Sequence, residues 1–189
     1  NPLEVKTEDE ELREYLAEYI NEEFQEMLQN TVEGASNKGF EYVYIYKNSE
    51  DRLAFQVADS LGVILIHDDV GKSEVLGILR YYETTVTNKE DQEIKITKAE
   101  VWTDSQTTYY TETLDKQNFI FDTSIKPNPK PHIIFEDDEA IYDGGGLGYI
   151  PFFKLENNRY CKTDLESIKS LIDDYDLMAC SLSNNLQDF

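Results

Sequence analysis

Gly39-Phe40-Glu41-Tyr42-Val43-Tyr44-Ile45-Tyr46 is the stretch on which the fold turns. Dense aromatic and β-branched residues suit a pleated strand, and the glycine ahead of them punctuates the chain. What precedes it has a different period. Leu12, Leu16, Tyr19, Ile20, Phe24, Met27, Leu28 and Val32 recur at spacings of three and four. They lay one apolar stripe along a helix over 8–33, with glutamates crowding the other face. Gly34 and Gly39 flank its exit.

Downstream of the strand, Lys47-Asn48-Ser49-Glu50-Asp51 is polar enough to turn the chain, and 52–57 reads as the returning arm of a hairpin. Val63-Ile64-Leu65-Ile66 is a short apolar run of strand type that ends in a turn at His67-Asp68-Asp69. The stretch 75–87 is read as a strand because Tyr81, Tyr82, Thr84, Thr85, Val86 and Thr87 outweigh a weaker helical spacing. Segments 94–103 and 107–114 alternate apolar and polar residues, as half-buried antiparallel strands do. Lys126-Pro127-Asn128-Pro129-Lys130-Pro131 must be an extended surface loop. A short strand over 132–135 follows, then the acidic run Glu136-Asp137-Asp138-Glu139 and the glycines of 144–148. An extended segment over 149–155 leads to Thr163-Asp164-Leu165-Glu166, which has the form of a capping box. Leu165, Ile168, Leu171, Ile172, Tyr175, Ala179, Leu182 and Leu186 then continue a helical stripe over 163–187. The expectation is a single α+β unit over 1–189, with two amphipathic helices flanking mainly antiparallel strands over 40–143.

The 189 residues carry 39 acidic and 17 basic side chains, a formal charge of -22. Affinity for phosphates comes from Lys and Arg displacing counterions, so this balance opposes tight nucleic-acid binding. It fits a solvated acidic surface, or a wall past which a polyanion slides without sticking. No stretch approaches the roughly 20 apolar residues that cross a bilayer, and no charged start with an apolar run suggests a signal peptide. Cys161 and Cys180 match no zinc spacing and are too few for a disulfide framework. Cys180 falls in an apolar-periodic stretch and is expected to be a small core residue.

Catalytic signatures are missing. His67 and His132 are the only imidazoles, neither stands in a motif, and Cys161 has no surroundings typical of a thiol nucleophile. The glycines of 144–148 lack the Lys-Ser or Lys-Thr of a phosphate loop and lead into an Ile-Pro segment, so they read as a flexible connection. No catalytic, cofactor or metal residue is assigned. The competing reading is a divalent-metal-dependent hydrolase using some of Asp68, Asp69, Asp137, Asp138 and Glu139, motivated by carboxylate density alone. A third is an extracellular adhesion domain, which the two cysteines and the missing export signal disfavour.

Two parts of the chain carry a resemblance. One is the acidic helix followed by Ala35-Ser36-Asn37-Lys38-Gly39-Phe40-Glu41-Tyr42-Val43. The other is Leu147-Gly148-Tyr149-Ile150-Pro151-Phe152-Phe153, then Asn157-Asn158, then Asp164-Leu165-Glu166-Ser167-Ile168-Lys169 and Leu171-Ile172-Asp173-Asp174-Tyr175-Asp176, continued by Ser181, Asn184, Asn185 and Leu186. In this order they resemble the portal proteins of long-tailed, double-stranded DNA phages. The resemblance implies a structural ring subunit, commonly one of twelve, at one capsid vertex. Its partners would be other portal subunits, the terminase, scaffold or capsid protein, head-tail adaptors, and duplex DNA passing without sequence-specific contact. It would place the protein in the virion, and in the host cytoplasm during assembly, with no enzymatic activity, cofactor or membrane partner. The family's subunits are longer and Asn1 is not an initiator methionine, so an excised central fragment is expected, comprising the outer wing and the helix leading toward the stem.

Overall fold

The structure is a computed structural model and describes residues 6–48, 50, 52–71, 74–87, 91–136 and 142–187. It divides into two compact units, one of Asn1–Tyr42 with Lys154–Phe189 and one of Val43–Phe153. In chain order it is α+β, with helices ahead of and behind antiparallel strands, as the sequence predicts.

The first unit opens with α1 (Glu10–Tyr19) and α2 (Glu22–Lys38), where the periodicity predicted one helix over 8–33. The apolar stripe runs through, but the backbone does not. Ile20 leaves helical geometry at ψ 54, and the Asn21 side chain accepts a hydrogen bond from the Phe24 amide at 3.0 Å, capping a new helix. An Asn offers its side chain to orphan amides, and here that local preference interrupts the stripe. Glutamates in the first turn of each helix suit the positive end of its dipole. Gly34, expected at the exit, lies inside α2, where a Cβ would collide with the Glu41 carboxylate. The stop comes at Gly39, whose φ of 92° is open to glycine at little cost.

The chain returns to this unit after β11 (Phe152–Glu156), turns through a 3-10 segment at Asp164–Ser167, and ends in α3 (Lys169–Gln187). Residues 164–184 are exposed throughout. Cys180 therefore lies on an exposed face of α3, which corrects its expected place in the core. A helical stripe marks a surface that some partner could cover, and none of the described residues of this unit buries it.

The second unit is mostly sheet. β1 (Phe40–Lys47) lies between β11 and β2 (Leu53–Ala58) in the order β11-β1-β2. A larger antiparallel sheet runs β3 (Val63–His67), β4 (Val75–Thr87), β5 (Glu93–Trp102), β6 (Gln106–Glu112), β7 (Phe119–Phe121), with β8 (Lys130–Pro131) also paired to β6. β4 and β5 pair over ten residues, from Ile78 opposite Trp102 to Thr87 opposite Glu93. Their alternation puts Ile78, Ile96 and Trp102 inside. β9 (Ile133–Glu136) and β10 (Tyr142–Gly145) form a separate ribbon. Gly144 and Gly145 pair with Ile134 and Ile133, so part of the expected flexible glycine connection is strand. Gly144 leaves room for the Pro131 ring, against which a Cβ would collide.

Candidate functional site

The two stretches that carried the sequence resemblance meet in the first unit. The Ser36 hydroxyl, in the last turn of α2, donates to Asp164 Oδ2 at 2.5 Å, and Asn157 Nδ2 donates to Asp164 Oδ1 at 2.7 Å. The Asn157 amide closes on the Gly39 carbonyl at 2.9 Å. Its side chain also reaches the Lys162 carbonyl at 2.9 Å, and Asn158 Nδ2 joins it there at 2.7 Å. Asn158 Oδ1 accepts from the amides of Tyr160 and Lys162, both at 3.1 Å. Two adjacent asparagines thus hold the turn that leads to α3, using side chains that imitate backbone turn bonds. Thr163 accepts from the Glu166 amide at 3.2 Å, and the Lys162 ammonium reaches Glu166 at 2.7 Å. The Asp164 carboxyl is held below the usual range by the Ser36 hydroxyl and then by Asn157. The backbone is tight as well, since a Cβ on Gly39 would strike the Cys161 carbonyl. Among the described residues this junction gathers no metal-type cluster. It fixes where α3 starts and how α2 ends.

A second polar cluster lies in the core of the other unit. Glu100, 6% exposed, accepts from the Arg80 guanidinium at 3.0 Å, the Trp102 indole at 2.9 Å and the Tyr82 hydroxyl at 3.0 Å. The guanidinium lies over the Tyr44 and Tyr82 rings at 4.8 and 4.4 Å from their centroids. Trp102 also packs on Tyr44 and Phe152. Three donors and two ring faces make this burial of charge tolerable. Burial pushes the Tyr44 hydroxyl up to about 12 against the pull of Arg80, and Tyr109 up to about 12 with help from Glu100. Sequence reading passed over this cluster, although its signal was present. Lys98 and Glu100 share strand parity with Ile96 and Trp102, which places charges on the inward face of β5. Lys98 correspondingly pairs with the buried Asp122 at 2.9 Å.

Of the five residues weighed for hydrolytic chemistry, the structure describes Asp68 and Asp69. Asp68 follows β3 and accepts from the amides of Gly71 at 3.2 Å and Glu74 at 3.4 Å, so its carboxylate holds a turn. Asp69 is exposed, while Asp137, Asp138 and Glu139 lie outside the described residues. Among the described residues no three of His, Cys, Asp or Glu gather as a metal would need. His67 closes β3, whereas His132 lies between β8 and β9 with its ring 5.7 Å from that of Trp102. Burial lowers the His132 pKa, opposed by the Gln106 backbone and the Asp104 carboxylate. Cys161 takes a left-handed φ of 51° and lies 3.4 Å from the Lys154 ammonium. Among the described residues no helix is long and apolar enough to cross a membrane.

The second unit is thus a sheet with buried ion pairs, and the first a set of helices joined at a side-chain junction. Over residues 1–189 the sequence matches the family described as phage portal protein, SPP1 Gp6-like, and the chain belongs to that family. It is 29% identical over 188 residues to the portal protein of Bacillus phage SPP1, a match covering 100% of this chain and 35% of that protein. It is 24% identical over 187 residues to the portal protein of Clostridium phage phiCD119, covering 94% of this chain and 38% of that protein. The chain thus spans well under half the length of these relatives.

Proposed function

We propose that this chain is the α+β core of a phage portal subunit, working as a mechanical part of a ring at the capsid vertex. In that reading the ring encloses the passage for DNA during packaging and ejection, and it offers a platform to the terminase and to the head-tail adaptors. The observation that carries it is the family match over residues 1–189, together with the junction of Ser36, Asn157 and Asp164, which ties the family-like segments of both ends. The excess of 39 acidic over 17 basic residues supports a passage wall that repels the phosphate backbone, since few Lys and Arg are available to displace its counterions.

Deletion of the gene tests this reading in an otherwise intact phage. The expected outcome is heads that contain no DNA, restored by the gene supplied in trans. Heads filled to the normal extent without the protein would overturn it.

A further inference from the structure

The second unit contains a cleft bounded by the β1-β2 hairpin on one side and by β8 and the start of β9 on the other. It encloses about 240 Å³. Its walls are Ile45, Leu53, Trp102, Pro131, Ile133 and Leu147. Lys47 and Lys130 line the same cleft. Among the described residues Lys130 makes no ion pair, and the Lys47 ammonium donates to the Ile134 carbonyl at 3.1 Å. In a chain with a formal charge of -22, Lys47 and Lys130 bring two cations to one apolar hollow. Of the other titratable groups there, Tyr109 is held neutral by burial, and burial disfavours the charged form of His132.

We propose that this cleft receives one apolar side chain, aromatic or long aliphatic, carried beside a carboxylate on an extended segment of a partner protein. The volume argues for a side chain over a free small molecule, because ordinary ligand pockets begin at about 300 Å³ and enclose most of their ligand. A side chain inserted from a backbone outside needs only a half-open hollow. The charge argues for the neighbouring carboxylate, which would meet Lys130 in a partly dry setting where a charged hydrogen bond outweighs a neutral one. The inference goes beyond the portal reading, and its failure leaves that reading standing.

Trp102 is the single tryptophan of the chain and a wall of the cleft, so its fluorescence reports occupancy directly. The probe is N-acetylphenylalanine, compared with its uncharged amide and with 3-phenylpropionate, which has the ring and the charge but no peptide group. The expected result is a saturable change with N-acetylphenylalanine, weakened about five-fold or more by the amide and by Lys130→Glu, with Lys130→Gln intermediate. Both variants replace a residue at the rim, and unchanged melting curves would show that they fold. No saturable change, or equal binding of the amide, overturns the proposal. Equal or tighter binding of 3-phenylpropionate assigns the cleft to a free anion and overturns its assignment to a protein segment. Self-association that Lys130→Glu abolishes assigns it to a second copy, with the same consequence.

Discussion

Ser36 and Asp164 stand 128 residues apart in the sequence and share a hydrogen bond of 2.5 Å, so the end of α2 and the 3-10 turn ahead of α3 are one local structure. Asn157 completes it by bonding the other oxygen of the same carboxylate. The connection is made by side chains, which makes it testable one atom group at a time.

Replacing Asn157 with Ala removes bonds to both Asp164 and Lys162. Hydrogen exchange of the amides at Cys161 and Glu166, both bonded within this turn, is expected to quicken by about five-fold or more, as loss of a net hydrogen bond implies. Exchange in β4 and β5 is expected to stay unchanged. Equal acceleration in both places would mean global destabilisation and would refute a local role.

Arg80→Met leaves the Glu100 carboxylate buried with its main cation gone. Chemical denaturation is expected to show a loss of about 3–5 kcal/mol, the usual cost of stranding one partner of a buried pair. Adding Glu100→Leu to that variant is expected to return part of the loss, because the two effects are coupled. Strict additivity would show that the pair does not interact as the geometry indicates.

Gly39→Ala combines a left-handed φ of 92° with a collision at the Cys161 carbonyl. A loss of roughly 2 kcal/mol or more in thermal or denaturant unfolding is expected, since backbone strain and overpacking add. A loss below about 0.5 kcal/mol would place it among ordinary surface changes and contradict the close approach.

Acid lability is expected in two windows. Burial lowers the folded-state pKa of His132 below its ordinary 6.5, so the unfolded chain binds a proton first and stability falls as pH drops below about 6.5. For Asp122, burial acts against the carboxylate, but Ser124 and Lys98 more than offset it and its pKa is lowered from 3.8. The stability it contributes is present above the unfolded value and is lost as pH falls through the lower folded value. Melting temperature against pH is the measurement. His132→Phe is expected to flatten the upper window while leaving the lower one, and an unaltered curve would show that His132 does not titrate on unfolding.

The sequence predicted most strands because their period of two is local and strong, as in 94–103 and 107–114. It missed the break at Asn21, where a capping side chain overrode an unbroken apolar stripe. It put Cys180 inside because a helical stripe reveals a face to be covered without revealing what covers it. The junction at Asp164 was visible only in part. Thr163-Asp164-Leu165-Glu166 announced a cap, but the bond to Ser36 needs the chain to return across 128 residues, which no local pattern encodes. The alternation over 94–103 did not single out Lys98 and Glu100, although their parity matches that of Trp102.

Electron microscopy of the purified full-length protein tests the central claim, that this chain works by assembly with copies of itself. The account predicts a closed ring of subunits around an open channel. A homogeneous population of monomers would contradict it.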